Sequence, residues 1–239
     1  MMGWRAMIGV IYPPDGSLDD EFSLFVPQGV SVHFTRVGTN ERELRALWYA
    51  EEGQLDLLET GAKQLSCAWK PSCVSFACTS GSFSRGKGYD QEIAKRITAA
   101  VGVPATTAAN ASVEALRQLG INKVAVAAPY EDHLCVKLRR FLEDYGFLVV
   151  SLKGLGLVGH EICHQPPEVA YQLARQVDRQ EADGMFISCT GFRTAEILQA
   201  LEDDLGKPVV SANQALMWRS IRLSGVKSSV KGYGRLLSI

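Results

Sequence analysis

Two cysteines, each followed by a threonine, are the side chains of this sequence with most chemistry to offer. Cys78 ends the stretch Val74-Ser75-Phe76-Ala77-Cys78 and leads into Thr79-Ser80-Gly81. Cys189 ends Met185-Phe186-Ile187-Ser188-Cys189 and leads into Thr190-Gly191-Phe192. In both, a short apolar run gives way to a helix-like stretch. A thiol at the start of a helix meets free backbone N–H groups and the positive end of the helix dipole. Both lower its pKa and make it usable as a base or nucleophile near neutral pH. The same N–H groups, with the hydroxyls of Thr79, Ser80 and Thr190 and the backbone at Gly191, form a cradle for a carboxylate.

Two such sites facing one another hold a small carboxylic acid between two thiols. One thiolate removes the α-proton, and the other thiol delivers a proton to the opposite face of the carbon. The enediolate formed on the way carries extra negative charge, which preorganised donors around the carboxylate must stabilise. Alternatively, one thiolate adds to an activated double bond, the bond rotates, and elimination follows. Neither route calls for a metal or an organic cofactor. The competing reading is that both cysteines are small buried hydrophobes. Their occurrence as a matched pair argues against it.

The elements that must position these thiols repeat as well. The first unit continues into Gly102-Val103-Pro104-Ala105-Thr106-Thr107-Ala108-Ala109-Asn110, the second into Gly206-Lys207-Pro208-Val209-Val210-Ser211-Ala212-Asn213. Each reads as a short strand, a hydroxyl residue, then a helix opened by Asn110 or Asn213 as its cap. Strands are expected at 5–12, 30–37, 73–77, 104–107, 123–128, 147–152, 184–188 and 209–211. Helices are expected at 41–65 with a break at Gly53, then at 90–101, 110–119, 131–145, 166–179, 194–205 and 213–223. Residues 80–88 and 154–165 read as glycine-rich loops. Alternating strands and helices imply an α/β fold with parallel sheets, whose ligands sit at the carboxyl ends of the strands. The repeat divides it into two similar parallel-sheet lobes related by pseudo-twofold symmetry, with the active site in the cleft between them. The N-terminal lobe is expected to comprise 1–107 plus 214–239, and the C-terminal lobe 108–213.

Bulk properties are those of a soluble enzyme. The chain has 239 residues, 46% hydrophobic and 21% charged, with a formal net charge of -1, so no nucleic-acid or membrane partner is indicated. The six cysteines, without a Cys-x-x-Cys, read as free thiols in a reducing cytoplasm. Cys67, Cys73 and Cys135 are assigned to packing. His160, Cys163 and His164 match no standard zinc spacing, and their loop is read as pocket lining. Tyr130, just after a strand, is placed to offer its hydroxyl to the same cleft. The P-loop pattern Gly-x-x-x-x-Gly-Lys-Ser/Thr is absent.

These residues bring a family into view. From Gly9-Val10-Ile11-Tyr12-Pro13-Pro14 through Cys78-Thr79-Ser80, Ala128-Pro129-Tyr130 and Ser188-Cys189-Thr190-Gly191 to Gly232-Tyr233-Gly234-Arg235-Leu236, the chain resembles the aspartate/glutamate racemase superfamily. The resemblance is to its maleate cis-trans isomerase and arylmalonate decarboxylase branch. It implies cofactor-independent catalysis between two lobes, with Cys78 and Cys189 catalytic. It also implies Thr79, Ser80, Tyr130, Thr190, Gly191 and Pro14 as substrate-binding residues. In the decarboxylases the position matching Cys78 is glycine, so Cys78 restores the two-thiol pattern of racemases and isomerases. The Pro13-Pro14-Asp15-Gly16 loop and the Tyr-Gly-Arg-Leu tail are similar to the decarboxylase. The expected function is therefore a racemase or isomerase of a small carboxylic acid. The alternatives are a decarboxylase using Cys189 as proton donor and a non-catalytic carboxylate-binding protein. A homo-oligomer is left open.

Overall fold

The computed structural model describes residues 3–67 and 69–239. In the first half, β1 (Ala6–Tyr12), α1 (Asp19–Leu24), β2 (Val30–Arg36), α2 (Glu41–Tyr49), α3 (Gln54–Ser66), β3 (Cys73–Phe76), α4 (Thr79–Phe83), α5 (Tyr89–Val101), β4 (Ala105–Thr107) and α6 (Ala108–Gln118) follow in order. The second half runs β5 (Lys123–Ala127), α7 (Asp132–Asp144), β6 (Leu148–Lys153), α8 (His160–Cys163), α9 (Pro167–Val177), β7 (Gly184–Ile187), α10 (Leu198–Leu205), β8 (Val209–Ser211) and α11 (Ala212–Leu223). A short 3₁₀ turn, Leu236–Ser238, closes the chain.

The repeat is structural. Two four-stranded sheets have the orders β2-β1-β3-β4 and β6-β5-β7-β8. All their pairings are parallel. β3 and β7, the strands leading to the two cysteines, are equivalent central strands. Every residue of both is buried. That burial is why they read as mainly apolar runs, the one polar side chain, Ser75 of β3, being paired with Ser220 at 2.6 Å. Helices α6 and α11, which follow the equivalent strands β4 and β8, pack on one another and tie the halves together.

Several local expectations are corrected. The caps of α6 and α11 are Thr107 and Ser211, not the asparagines. Their extended backbones let the hydroxyls accept from the amides of Asn110 at 3.1 Å and Gln214 at 3.4 Å. Gln214 returns a bond to the Ser211 amide and completes a capping box. The predicted loop at 80–88 begins with a helical turn, α4. Ser82, inside this wholly buried helix, and Ser84, at its C-terminal cap, donate back to the carbonyls of Cys78 and Ser80 at 2.7 Å, so these hydroxyls are satisfied. Packing here overrides propensity. The 154–165 loop likewise contains α8. The helix expected from Thr194 starts only at Leu198, because the amides of Thr194 and Ala195 are held by Glu21 from another element. The break at Gly53 is present, with φ = 88° at the start of α3. Of the cysteines assigned to packing, Cys73 and Cys135 are buried but Cys67 is exposed, and all six are unpaired. Among the described residues, no helix is long and apolar enough to cross a membrane.

Candidate active site

Four central strand ends open onto one cavity of about 60 Å³. From the first sheet, β1 delivers Tyr12, Pro13 and Asp15, and β3 delivers Cys78, Thr79 and Ser80. From the second, β5 delivers Tyr130 and Glu131, and β7 delivers Cys189, Thr190 and Gly191. Trp48 and Tyr49 at the end of α2, and Leu157, Ile162 and Cys163 around α8, complete the wall. The structure thus brings Cys78, Thr79, Ser80, Tyr130, Cys189, Thr190 and Gly191 together, as the sequence suggested. Pro14 is the exception. It is exposed to solvent, and its neighbours Pro13 and Asp15 line the cavity instead.

Cys78 is the residue before α4, with an extended backbone at φ = -149°. Its sulfur lies 3.5 Å from the Leu47 carbonyl and 3.7 Å from the Ser80 hydroxyl. The approach of α2 to α4 leaves no space at Gly81, where a Cβ would sit 1.8 Å from the Leu47 carbonyl oxygen. Cys189 is held differently. Its φ of 94° is in the left-handed region, which non-glycine residues rarely occupy. Strain of this kind persists only where surrounding contacts over-determine the backbone, and it clusters at functional sites. The Gly191 amide lies 3.4 Å from the Cys189 sulfur.

The expected lowering of the thiol pKa is overturned. Burial pushes the Cys78 thiol up to about 12, with the Gly81 amide and Ser80 hydroxyl opposing it only in part. Cys189 is raised further by burial, against the Gly191 amide and Tyr130. Desolvation of a thiolate outweighs the few donors beside each sulfur, the Gly81 amide and Ser80 hydroxyl at Cys78 and the Gly191 amide and Tyr130 at Cys189. Both thiols therefore rest protonated.

Hydroxyl roles also differ from expectation. Thr190 lines the cavity, but its Oγ1 donates to the Ala77 carbonyl across the lobes at 3.0 Å. A hydroxyl has one proton, so Thr190 pins the two strand ends rather than offering a donor to a ligand. Thr79 does the reverse. Its Oγ1 is buried and finds no partner among the described residues, although Thr79 lines the cavity. A buried polar atom left unpaired beside a cavity is placed to bond whatever the cavity holds, a ligand or water. The Tyr130 hydroxyl lies 3.3 Å from Ser188 Oγ, and burial holds its pKa well above the phenol range.

Glu21 was not legible as a site residue. It is fully buried in α1, yet it organises the Cys189 loop from the other half of the chain. Oε1 accepts from the Thr194 amide at 2.9 Å, the Thr194 hydroxyl at 2.7 Å and the Ala195 amide at 2.9 Å. Oε2 accepts from Asn213 Nδ2 at 3.2 Å, and the same amide group donates to the Thr190 carbonyl at 3.1 Å. Tyr12 donates to that carbonyl as well, at 2.7 Å. Glu21→Ala orphans two buried amides and is expected to cost about 3 kcal/mol or more of unfolding free energy. Burial raises the Glu21 carboxyl from 4.5 to about 7, so the folded state holds this proton more tightly than the unfolded chain. Its contribution is greatest below pH 4.5 and is lost as the pH rises through 7. Urea unfolding at pH 5 and pH 8 should show this loss in the wild type and a smaller one in Glu21→Gln.

Comparison with known proteins identifies the family. A family model described as arylmalonate decarboxylase matches residues 8–237. Arylmalonate decarboxylase of Bordetella bronchiseptica is 32% identical over 172 residues, covering 68% of this chain and 70% of that protein. Maleate isomerase of Geobacillus stearothermophilus is 27% identical over 172 residues, covering 69% and 68%. The solved structure of a glycine-to-cysteine mutant of arylmalonate decarboxylase superposes with a TM-score of 0.83 at 28% identity, over 97% of this chain and 99% of that one. This chain belongs to the arylmalonate decarboxylase family, in the branch of the aspartate/glutamate racemase superfamily that also holds the maleate isomerases.

Proposed function

We propose that the chain is a cofactor-independent racemase or isomerase of a small carboxylic acid, with Cys78 and Cys189 acting on the substrate from opposite halves of the molecule. The observation that carries this reading is the presence of both thiols, from equivalent strands of two sheets, in one small cavity. The unpaired Thr79 hydroxyl, with that of Ser80, offers the neutral donors that a carboxylate requires and an enediolate requires more strongly.

Two protonated thiols at rest set a condition on this chemistry. Proton abstraction needs one of them as thiolate, and the proton it takes is replaced by the other thiol. Below the thiol pKa the thiolate fraction grows about tenfold per pH unit. With Cys78 at about 12, α-proton exchange is expected to climb steadily between pH 7 and 9. Deuterium wash-in from heavy water over a panel of carboxylic acids measures it. A rate that is flat over that range contradicts a thiolate base.

A second reading is favoured by the family model and by the protonated Cys189. In decarboxylation of a disubstituted malonate, one carboxylate leaves as carbon dioxide. Its bonding pair passes to the α-carbon and is delocalised into the retained carboxylate. The Cys189 thiol then gives its proton to that carbon, and the thiolate recovers one from water. This route uses the thiol and is independent of pH from 7 to 9. Carbon dioxide release from an arylmalonate separates it from racemisation, and conversion of maleate to fumarate tests the addition route. Ligand-induced thermal stabilisation with none of these three activities overturns the enzyme reading in favour of a binding protein.

A further inference from the structure

Cys163 is a thiol that none of the proposed reactions uses. It is the last residue of α8, half-buried, and it lines the cavity together with Cys189. Gly191 lies between the two sulfurs. A Cβ on Gly191 would sit 2.9 Å from Cys163 Sγ and 3.8 Å from Cys189 Sγ, with Ile162 Cγ2 also at 3.8 Å. The missing side chain leaves a notch, and one atom seated in it touches both sulfurs. Neither sulfur is strongly engaged. Cys163 donates to the Asp15 carbonyl at 3.6 Å, and the Gly191 amide lies 3.4 Å from Cys189 Sγ. Sulfur is a weak donor and a weak acceptor, so both contacts are given up at small cost.

The chemistry that this pair accepts is narrow. Burial raises the Cys163 thiol, with Ser17 opposing and the Asp15 carboxylate adding to it, and Cys189 also rests protonated. Reagents and ions that require a free thiolate therefore meet little of it. Among the described residues, no group of three or more His, Cys, Asp or Glu side chains is arranged to hold a metal ion, so a four-coordinate ion finds no ligand set. Trivalent arsenic has neither requirement. It is soft, as sulfur is, and two sulfurs suffice for it. Arsenite enters at neutral pH as uncharged arsenous acid. The cavity of about 60 Å³ has room for a few water-sized groups, enough for one arsenic and its hydroxyls. Two As–O and two S–H bonds break, and two As–S bonds form. Two waters leave carrying the thiol protons, and one hydroxyl stays on arsenic. Arsenic remains trivalent and no net proton is released, so protonated thiols are competent.

We infer that Cys163 and Cys189 form a dithiol site for trivalent arsenic, with a single arsenic atom seated in the notch at Gly191 and bonded to both sulfurs. On the reading proposed above, occupancy takes the sulfur through which each route passes and silences the enzyme.

The test is equilibrium dialysis of arsenite against the full chain at pH 7, with bound arsenic counted by elemental analysis. A phosphine is the only reductant, because a dithiol reductant competes. Wild type is expected to hold one arsenic per chain. Cys163→Ser and Cys189→Ser are each expected to bind it at least about 10²-fold more weakly, the gain brought by a second bond made within one molecule. Gly191→Ala, whose methyl enters the notch, is expected to lose about tenfold. Cys78→Ala is expected to stay within about twofold of wild type. A wild-type affinity no better than that of Cys163→Ser overturns the inference. So does a site lost in Cys78→Ala and kept in Cys163→Ser. Tandem mass spectrometry of the proteolysed wild-type adduct needs no variant: arsenic should join the peptides of Cys163 and Cys189, and arsenic on any other pair is contrary. No substrate enters these measurements, so their failure and that of the racemase or isomerase reading are distinguishable.

Discussion

Cys189→Ala is expected to lose racemisation, isomerisation and decarboxylation together, each by about 10²–10⁴-fold, the usual worth of a positioned proton-transfer group. Each proposed route passes through this sulfur, whether as thiolate, as proton donor or as partner of Cys78. Alanine carries the same Cβ into the strained backbone at φ = 94°, so the strain is unchanged. The contacts that hold the loop belong to other groups: Thr190 with Ala77, Tyr12 and Asn213 with the Thr190 carbonyl, and Glu21 with residues 194–195. Thermal melting should therefore stay close to wild type while activity disappears. Serine is expected to be little better, because a buried hydroxyl is a weaker acid than a buried thiol. Retention of more than about a tenth of any of the three activities in the alanine variant would remove Cys189 from that reaction.

Cys78→Ala should separate the reactions rather than abolish them. Loss of the sulfur leaves the Leu47 carbonyl and Ser80 hydroxyl without their long contacts to it and opens a small void beside α4. The stability cost is of order 1 kcal/mol, as for removal of a single buried heavy atom. Racemisation, which needs a group on each face of the α-carbon, falls by about 10²–10⁴-fold. Carbon dioxide release from an arylmalonate, which needs only the Cys189 thiol, stays within about tenfold of wild type. The direction of any change in decarboxylation also bears on the cavity, because removing the sulfur enlarges it. Full racemase activity in Cys78→Ala would be fatal to the two-thiol assignment. Equal loss of both activities would instead give Cys78 a part in binding.

Much of the site was legible along the chain. The apolar runs before Cys78 and Cys189 are strands because β3 and β7 are buried on both faces, and such strands betray themselves by composition alone. Their equivalence follows from the repeated Gly-x-Pro, hydroxyl and helix pattern, and the matching strand orders of the two sheets bear it out. Parallel topology then brings strand ends to one side, so Tyr130 and both Cys-Thr units converge on one cavity. The hydroxyl residues before α6 and α11 were visible too, but the cap was placed three residues too late at Asn110 and two too late at Asn213.

What sequence determined by itself was the order of strands and helices, the twofold repetition and the placing of a thiol at each equivalent strand end. These follow from side-chain periodicity and from covalent neighbours, which every local stretch carries with it. Tertiary structure alone decided that both thiols rest protonated, that the Thr190 hydroxyl is spent on Ala77 while that of Thr79 is free, and that Pro14 turns outward. It alone brought Glu21 beneath the Cys189 loop and Asp15 against Trp48. The physical reason is that desolvation and hydrogen-bond satisfaction depend on which surfaces meet. Residues separated by 173 positions, as Glu21 and Thr194 are, meet only when the chain has folded.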